Sequence, residues 1–218
     1  MREIGGGIFQ LEGQGWIANA FLVRVEAPVV VDTGTPRGGR RIAAELSAAG
    51  IVPVLILLTH SHYDHAGGAA ALREATGATL CAPAAERDLL TGRARHRWFV
   101  RTAARVANHG RRIEQPPVDR WLEPGELAAG LEVVPTPGQT AGHTSYRTGT
   151  TLIAGDAFMT GERLREAVPA FVADRAEARR SIERLAGLEL DLAVSGHGPP
   201  TRGAAQKLRT LASTWVRR

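Results

Sequence analysis

The segment of this chain with the densest set of reactive side chains is a short histidine loop. It reads LTHSHYDHAGG and places His60, His62, Asp64 and His65 directly after an apolar run. Imidazole and carboxylate groups are costly to concentrate in one loop unless they bind a cation. His60 and His62 are two positions apart, so their side chains point the same way in an extended loop. The spacing predicts a metal site, with Asp64 and His65 entering the next helix and placed to serve a second ion.

Further histidines and carboxylates follow other predicted strands. His143 lies in TPGQTAGHT, Asp156 in LIAGDAF and His197 in VSGHGPP, while Asp32 ends the upstream run VVVD. Imidazole nitrogens and carboxylate oxygens together suit zinc, and they also suit iron or manganese. Cys81 lies in a predicted strand and is interpreted as a small core residue rather than a ligand.

Alternating strands and helices must position these residues. In the first half, strands are predicted at 16–25, 28–32, 54–58 and 78–82, and helices at 39–49 and from the histidine loop to residue 76. In the second half, strands are predicted at 131–136, 145–147, 151–154 and 190–195, and helices at 175–185 and 204–216. Two similar halves favour two sheets packed face to face with helices outside, and a doubly wound α/β fold is the rival prediction.

The histidine loop resembles the HxHxDH metal motif of the metallo-β-lactamase superfamily. The segments around Asp32, His143, Asp156 and His197 match that family's other motifs in the same order, each after a predicted strand. The resemblance covers nearly the whole chain. It implies the α/β (α+β) class and the four-layer αββα sandwich of the metallo-β-lactamase fold. The expected organisation is a single domain over 1–218, built of two βα halves at about 1–90 and 115–218, with an Arg-rich insertion near 92–112.

The resemblance also implies a binuclear site for two divalent metal ions, with zinc expected and iron or manganese as alternatives. The implied ligands are His60, His62 and His143 for the first ion, Asp64, His65 and His197 for the second, and Asp156 bridging both. The implied reaction is hydrolysis through a metal-bound hydroxide; as the catalytic residue, Asp64 would orient the attacking water and take the proton that leaves it as hydroxide. Asp32 would hydrogen-bond the histidine loop and fix the ligands, although a strand-end Asp-Thr-Gly is as often a simple turn.

The substrate is narrowed by differences from similar enzymes. Glyoxalase II carries a C-terminal helical extension that binds glutathione, whereas only enough residues for one helix follow His197. N-acyl-homoserine lactonases place a catalytic tyrosine shortly after the bridging Asp, where this chain has Phe158 and Met159. We therefore expect a small-molecule ester, thioester, lactone or amide. Two alternatives stay open: a phosphodiesterase or nuclease on the same metal pair, and an iron-dependent non-hydrolytic redox enzyme.

The most individual part of the chain is the Arg-rich segment Gly92–Arg112. Trp98, Phe99, Arg101 and Arg105 have helical spacing and are expected at a substrate rim, contacting an apolar or anionic group. An amphipathic helix that packs its aromatic side chains on the core, or on a second copy in a homodimer, explains the same pattern.

Composition narrows the compartment and the partners. The formal net charge is +5, and arginine supplies nearly all the positive charge because Lys207 is the only lysine. The single cysteine, Cys81, excludes an internal disulfide and fits a reducing compartment. With no secretory signal pattern and no apolar run of membrane-spanning length, we expect a cytoplasmic protein with a small-molecule substrate and no membrane partner. Nucleic acid is not the expected partner, although the arginine excess leaves this alternative open. His96 and His109, in the Arg-rich segment, are interpreted as surface residues.

Overall fold

The structure is a computed structural model, and it describes residues 1–12, 18–110 and 114–216. The chain folds into two compact units, Met1–Leu122 and Glu123–Arg218. Each unit has its own sheet and its own helices, and each is described by itself. The expected single domain of two halves with an insertion stays a prediction.

The first unit is built on one mixed sheet. Its strands are β1 (Arg2–Gly5), β2 (Ile8–Leu11), β3 (Ala20–Arg24), β4 (Pro28–Val31), β5 (Leu55–Leu57), β6 (Thr79–Pro83) and β7 (Arg120–Leu122). Among the described residues the strands lie in chain order, antiparallel from β1 to β4 and parallel from β4 to β7. Parallel strands bring their carboxyl ends to one edge. Asp32, just after β4, is therefore adjacent to β5, and its backbone N–H donates to Leu57 O over 2.9 Å.

Helices of the first unit connect these strands. They are α1 (Pro36–Ala48), α2 (Tyr63–Ala66), α3 (Ala69–Thr76), α4 (Arg87–Leu90) and α5 (Trp98–Ala107), with a 3₁₀ turn at Ala84–Glu86 before α4. Thr35 caps α1, because its side chain accepts a hydrogen bond from Gly38 N. Gly39 of α1 lies so close to Gly68 that a Cβ atom on Gly39 would be 2.2 Å from Gly68 O. This close approach requires glycine, and it fixes the chain just after the histidine loop.

The core of the first unit lies between its parallel strands and the helices that cover them. Fully buried members are Val30 of β4, Ile56 of β5, Leu80 of β6, Ile42 and Leu46 of α1, and Leu72 of α3. Burying each such side chain contributes roughly 1.5–3 kcal/mol. The strand ends that carry the polar residues are therefore held by a rigid apolar layer.

The second unit also has a single mixed sheet. Its strands are β8 (Leu127–Ala128), β9 (Leu131–Pro135), β10 (Thr144–Thr148), β11 (Thr151–Ile153), β12 (Leu192–Val194) and β13 (Thr201–Arg202). Among the described residues the order is β13-β12-β11-β10-β9-β8, and β11–β12 is the parallel pair. The helices are α6 (Arg175–Ala186) and α7 (Ala204–Val216), with a 3₁₀ turn at Pro169–Phe171. Phe158, Ile182, Leu185 and Leu208 form part of its buried core.

Most predicted elements are confirmed, and the differences have local causes. The helix predicted to run on to Thr76 is two helices, α2 and α3, separated at Gly67 and Gly68. The strand predicted over 16–25 is present as β3, while its first residues lie outside the described residues. Five strands were not predicted, namely β1, β2, β7, β8 and β13. They span four residues or fewer and show no clean alternation of apolar and polar side chains.

The Arg-rich segment contains the predicted helical pattern as α5, and residues 111–112 of that segment lie outside the described part of the chain. In the described ranges, no helix combines the length and the apolar character that crossing a lipid bilayer requires.

Candidate metal centre

The histidine loop of the first unit is buried and tightly packed. His60 and His65 are fully buried, and His62 is 6% exposed. The ring centroid of His60 lies 4.6 Å from that of His62 and 4.2 Å from that of His65. The ligand nitrogens of His60 and His62 lie within 4.8 Å of each other, as do the ligand atoms of Asp64 and His65. The loop thus gathers imidazole and carboxylate donors in the way a cation requires.

Asp32 anchors this loop. Its carboxylate accepts hydrogen bonds from His65 Nδ1 over 2.7 Å, from Thr59 N over 2.9 Å and from Thr59 Oγ1 over 2.8 Å. Asp32 has φ of 60°, a left-handed conformation that Asp tolerates better than most residues. The contact between Asp32 and the histidine loop that the resemblance implied is therefore present, with Asp32 as the acceptor, and Asp32 does more than form a turn.

These hydrogen bonds fix the orientation of two imidazole rings. An ionised carboxylate only accepts, so His65 donates from Nδ1 to Asp32 and carries its lone pair on Nε2. The Thr59 hydroxyl donates to Asp32 and therefore accepts from His60 Nδ1 at 3.0 Å, which leaves the lone pair of His60 on Nε2 as well. Anchoring Nδ1 so that Nε2 faces a metal is the usual arrangement of metal-binding histidines. The donors of the first unit fit a divalent ion.

Asp64 is placed differently from its neighbours. Its side chain is 29% exposed, and its Oδ2 lies 4.0 Å from His65 Nε2. A carboxylate at the edge of a buried histidine cluster is able both to contact a cation and to exchange a proton with solvent.

Ser61 within this loop and two residues beside it were not predicted to belong to the site. Glu86 is fully buried and accepts hydrogen bonds from both the backbone N–H and the hydroxyl of Ser61. Ser61 Oγ also lies 3.2 Å from His96 Nε2, and the ring of His96 lies 5.1 Å from that of His62. The one available signal was position: Glu86 comes shortly after β6, at the same edge of the sheet as the histidine loop.

The interpretation of His96 as a surface residue was wrong. Its side chain is partly buried, because the Arg-rich segment folds back on Ser61 and His62. Burial lowers the pKa of His96, and the nearby carboxylate of Glu86 partly opposes that shift. His109 is exposed, as expected.

The substrate-rim residues predicted in the Arg-rich segment lie on α5. Trp98, Arg101 and Arg105 line a cleft of about 680 Å³ that also reaches Tyr63 of α2. Phe99 does not line this cleft. Its ring contacts the Trp98 ring and the Arg97 guanidinium instead.

In the second unit, His143 is almost fully buried between β9 and β10. Its Nδ1 donates to Thr136 O over 3.1 Å, so its lone pair is on Nε2. That lone pair accepts the backbone N–H of Asp156 over 2.9 Å. His143 would have to exchange this hydrogen bond for a metal bond in order to act as a ligand.

His197 and Asp156 lie close together in the same unit. His197 Nε2 is 3.6 Å from Asp156 Oδ2, and the His197 side chain is 31% exposed. Gln139 Nε2 donates to the same Asp156 oxygen over 3.2 Å, a contact that was not predicted. Gly198 follows with φ of 111°, and a Cβ atom there would lie 2.1 Å from Thr160 O, so only glycine fits next to His197.

Comparison with known proteins identifies the family. The family model described as the metallo-beta-lactamase superfamily matches residues 13–197. The probable metallo-hydrolase YqgX of Bacillus subtilis is 31% identical over 195 residues, which are 84% of this chain and 86% of that protein.

Solved structures agree. The crystal structure of TTHA1623 in a di-iron-bound form aligns with a TM-score of 0.69 at 29% identity, covering 89% of this chain and 93% of that one. The B3 metallo-beta-lactamase BLEG-1 aligns with a TM-score of 0.74 at 24% identity, covering 93% and 96%, and supports the fold alone. The chain belongs to the metallo-beta-lactamase superfamily and has its mixed α/β fold.

Proposed function

We propose that this protein is a binuclear metal-dependent hydrolase that acts on a small-molecule ester, thioester, lactone or amide. The observation that carries the proposal is the anchoring of His60 and His65 through Nδ1, which places the lone pair of each ring on Nε2, the atom that binds a metal in such an arrangement. Membership of a superfamily that includes a probable metallo-hydrolase supports the same reaction class.

The proposed ligands are those that the family motifs assign. They are His60, His62 and His143 for one ion, Asp64, His65 and His197 for the other, and Asp156 for both. When bound, such ions lower the pKa of water towards neutrality and polarise the substrate oxygen. Zinc is the proposed metal, and the nitrogen and oxygen donors also suit iron or manganese.

Within this site the residues of the chain have separate tasks. Asp32 and Thr59 hold the rings of His65 and His60, so that little reorganisation is needed when substrate binds. Asp64 is the proposed catalytic carboxylate: one of its oxygens would orient the attacking water and accept its proton, and its partial exposure gives that proton a way out to solvent.

A cytoplasmic location, a small-molecule substrate and the absence of a membrane partner belong to the same proposal. Cys81 is the single cysteine and is buried in β6, which suits a protein of a reducing compartment. A homodimer is a further part of the proposal, and measurement of the molecular mass in solution tests it.

The test combines a metal count with a substrate panel. Protein purified without added metal is analysed for bound metal and then assayed against esters, thioesters, lactones and amides, together with a His62→Ala variant. The matched control is His109→Asn, which removes an exposed histidine and keeps a side chain that tolerates the left-handed φ of 52° found there.

We expect close to two metal ions per chain in the wild type and the control. Both proteins should hydrolyse at least one substrate class, and the His62→Ala variant should lose that activity. Near one iron per chain without hydrolysis would favour the redox alternative. A folded protein that takes up no metal would contradict the proposal.

A further inference from the structure

The cleft of the first unit beside the histidine loop has the size and the lining of a small-molecule site. Its volume is about 680 Å³, within the roughly 300–1,000 Å³ usual for small-molecule pockets. One wall comes from α5 and the other from the histidine loop, where Ser61 and Tyr63 flank His62 on both sides. A ligand in this cleft therefore lies next to a proposed metal ligand.

Three arginines give the cleft a positive wall. Arg95 lies in the segment before α5, and Arg101 and Arg105 are four positions apart on one face of α5. All three are exposed, and within the described ranges no carboxylate lies within 4.0 Å of their guanidinium groups. Glu114 also lines the cleft and offsets one of the three charges. The remaining positive charge suits an oxyanion, because guanidinium groups bind carboxylate and phosphate oxygens in a fork-like geometry.

Part of the remaining lining is apolar. Val100 and Leu90 form a buried part of the wall, whereas Trp98 is 75% exposed at the rim. A large aromatic ring left in water beside arginines is typical of a surface that binds a ligand with an apolar portion.

Two contacts tie the arginine-bearing helix to the histidine loop. Tyr63 Oη donates to Asn108 Oδ1 over 2.6 Å, just beyond the last residue of α5. Ahead of the helix, His96 Nε2 lies 3.2 Å from Ser61 Oγ. Both ends of α5 are thus fixed relative to His62, which gives the cleft a set geometry rather than a loose basic surface.

We propose that this cleft binds the anionic end of the substrate, so that the hydrolysed molecule carries a carboxylate or phosphate on an apolar spacer, held by Arg101 and Arg105 with Trp98 against the spacer. The inference rests on the proposed hydrolytic function and names its substrate class. A nucleic acid is the less suitable occupant, because the cleft is of small-molecule size and includes a carboxylate in its wall.

The first test measures binding without hydrolysis. The metal-loaded protein is titrated calorimetrically with 4-phenylbutyrate, with 2-phenylethyl phosphate and with the neutral 4-phenylbutan-1-ol. The variants are Arg101→Gln/Arg105→Gln and a control, Arg40→Gln/Arg41→Gln, which removes the same charge from exposed positions of α1.

We expect Arg101→Gln/Arg105→Gln, called the α5 variant, to bind the two anions about tenfold more weakly than wild type. Its affinity for the alcohol should be unchanged, and the control should bind all three ligands about as well as wild type. The stronger of the two anions identifies the preferred group. An equal loss of anion affinity in the control would indicate a general effect of charge and would overturn the proposal. Unchanged anion affinity in the α5 variant would also overturn it, because the anion would then be binding directly to the metal. A single-stranded RNA is titrated in the same way. If the α5 variant loses affinity for this RNA but not for the two small anions, the proposal is overturned in favour of a nucleic-acid surface.

The second test separates the cleft from the hydrolytic function. The p-nitrophenyl monoester of glutaric acid and its neutral methyl ester present the same scissile bond with and without a charge. We expect the α5 variant to raise KM about tenfold for the charged ester alone, with kcat preserved. If wild type and the Arg101→Gln/Arg105→Gln variant hydrolyse the charged ester with equal KM values, the hydrolytic function is supported and the proposed role of the cleft is contradicted. If neither ester is hydrolysed but anion binding still depends on Arg101 and Arg105, the cleft is supported as an anion site and the hydrolytic function is contradicted.

Discussion

The two units carry candidate ligands of the same chemical kind that are prepared for a metal to different degrees. In the first unit, His60 and His65 are fully buried, and their Nδ1 atoms are held by Thr59 and Asp32. In the second unit, His143 is anchored at Nδ1 in the same way, yet its Nε2 accepts the backbone N–H of Asp156. The first set is organised in advance, whereas the second must give up a hydrogen bond before His143 binds a cation.

Exposure separates the two sets as well. His197 is 31% exposed, while the histidines of the first unit's loop are almost entirely excluded from water. Buried, oriented ligands lose little freedom when a metal binds, and exposed ligands must be ordered. Metal affinity should therefore depend mainly on the ligands of the first unit.

The largest effect is expected from removing an organised ligand. His65→Ala should weaken metal binding by on the order of 100-fold or more, beyond the roughly 10- to 100-fold loss typical of losing a supporting partner. His143→Ala should cost less, about tenfold, because its hydrogen bond from Asp156 already competes with the metal. Competition with a chelator of known affinity measures both values, with His109→Asn as the control. A larger loss in His143→Ala would reverse the contrast.

The next effect concerns the anchor rather than the ligands. Asp32→Asn keeps a residue that tolerates φ of 60° but replaces one accepting oxygen by a donor, so His65 and Thr59 lose part of their support. We expect metal affinity to fall roughly 10- to 100-fold while the fold is retained. The control is Asp191→Asn, at a carboxylate that is 60% exposed. Unchanged affinity in Asp32→Asn would mean that the anchoring is irrelevant to metal binding.

A smaller effect is expected at Glu86, which accepts hydrogen bonds from Ser61 of the histidine loop. Glu86→Ala leaves the backbone N–H and hydroxyl of Ser61 without their acceptor. Denaturant unfolding should show a loss of about 1–3 kcal/mol in the free energy of unfolding, the usual cost of an unsatisfied buried donor. Glu74→Ala, at an exposed position of α3, is the matched control. Equal stability of the two variants would contradict this role for Glu86.

The smallest effect belongs to the ion cluster that supports the second unit. Arg175 first, and Arg179 next, hold the pKa of Glu166 down to about 2 from 4.5, while desolvation opposes them. Because the folded pKa lies below the unfolded one, the stabilisation is present above pH 4.5 and is lost as the pH falls towards about 2. Solvent screening limits it to about 1 kcal/mol.

Glu166→Gln should therefore lower the free energy of unfolding at pH 7, and the difference from wild type should shrink below pH 4.5. Glu162→Gln, at an exposed carboxylate, should show no such difference. A gap between wild type and Glu166→Gln that stays constant from pH 7 to pH 3 would contradict the assignment.

The parts of the site that are local in the chain could be predicted from the sequence. The HxHxDH spacing places its own side chains together, and the contact of Asp32 with this loop was implied by the resemblance to the family motifs. The contacts of Glu86, His96 and Gln139 depend on how later segments fold back, and no periodic pattern marks them. His96 was misassigned for this reason: neighbouring arginines indicated solvent, while tertiary contacts buried the ring.

The most direct test of the central claim reads the protonated nitrogen of each imidazole. Long-range ¹H–¹⁵N correlation spectra of the metal-free protein, recorded before and after zinc is added, resolve the two ring nitrogens of every histidine. We predict Nδ1–H forms for His60 and His65 before zinc, and a large shift of their Nε2 signals on binding. Protonated Nε2 atoms in the metal-free protein, or Nε2 signals that zinc leaves unmoved, would contradict the account.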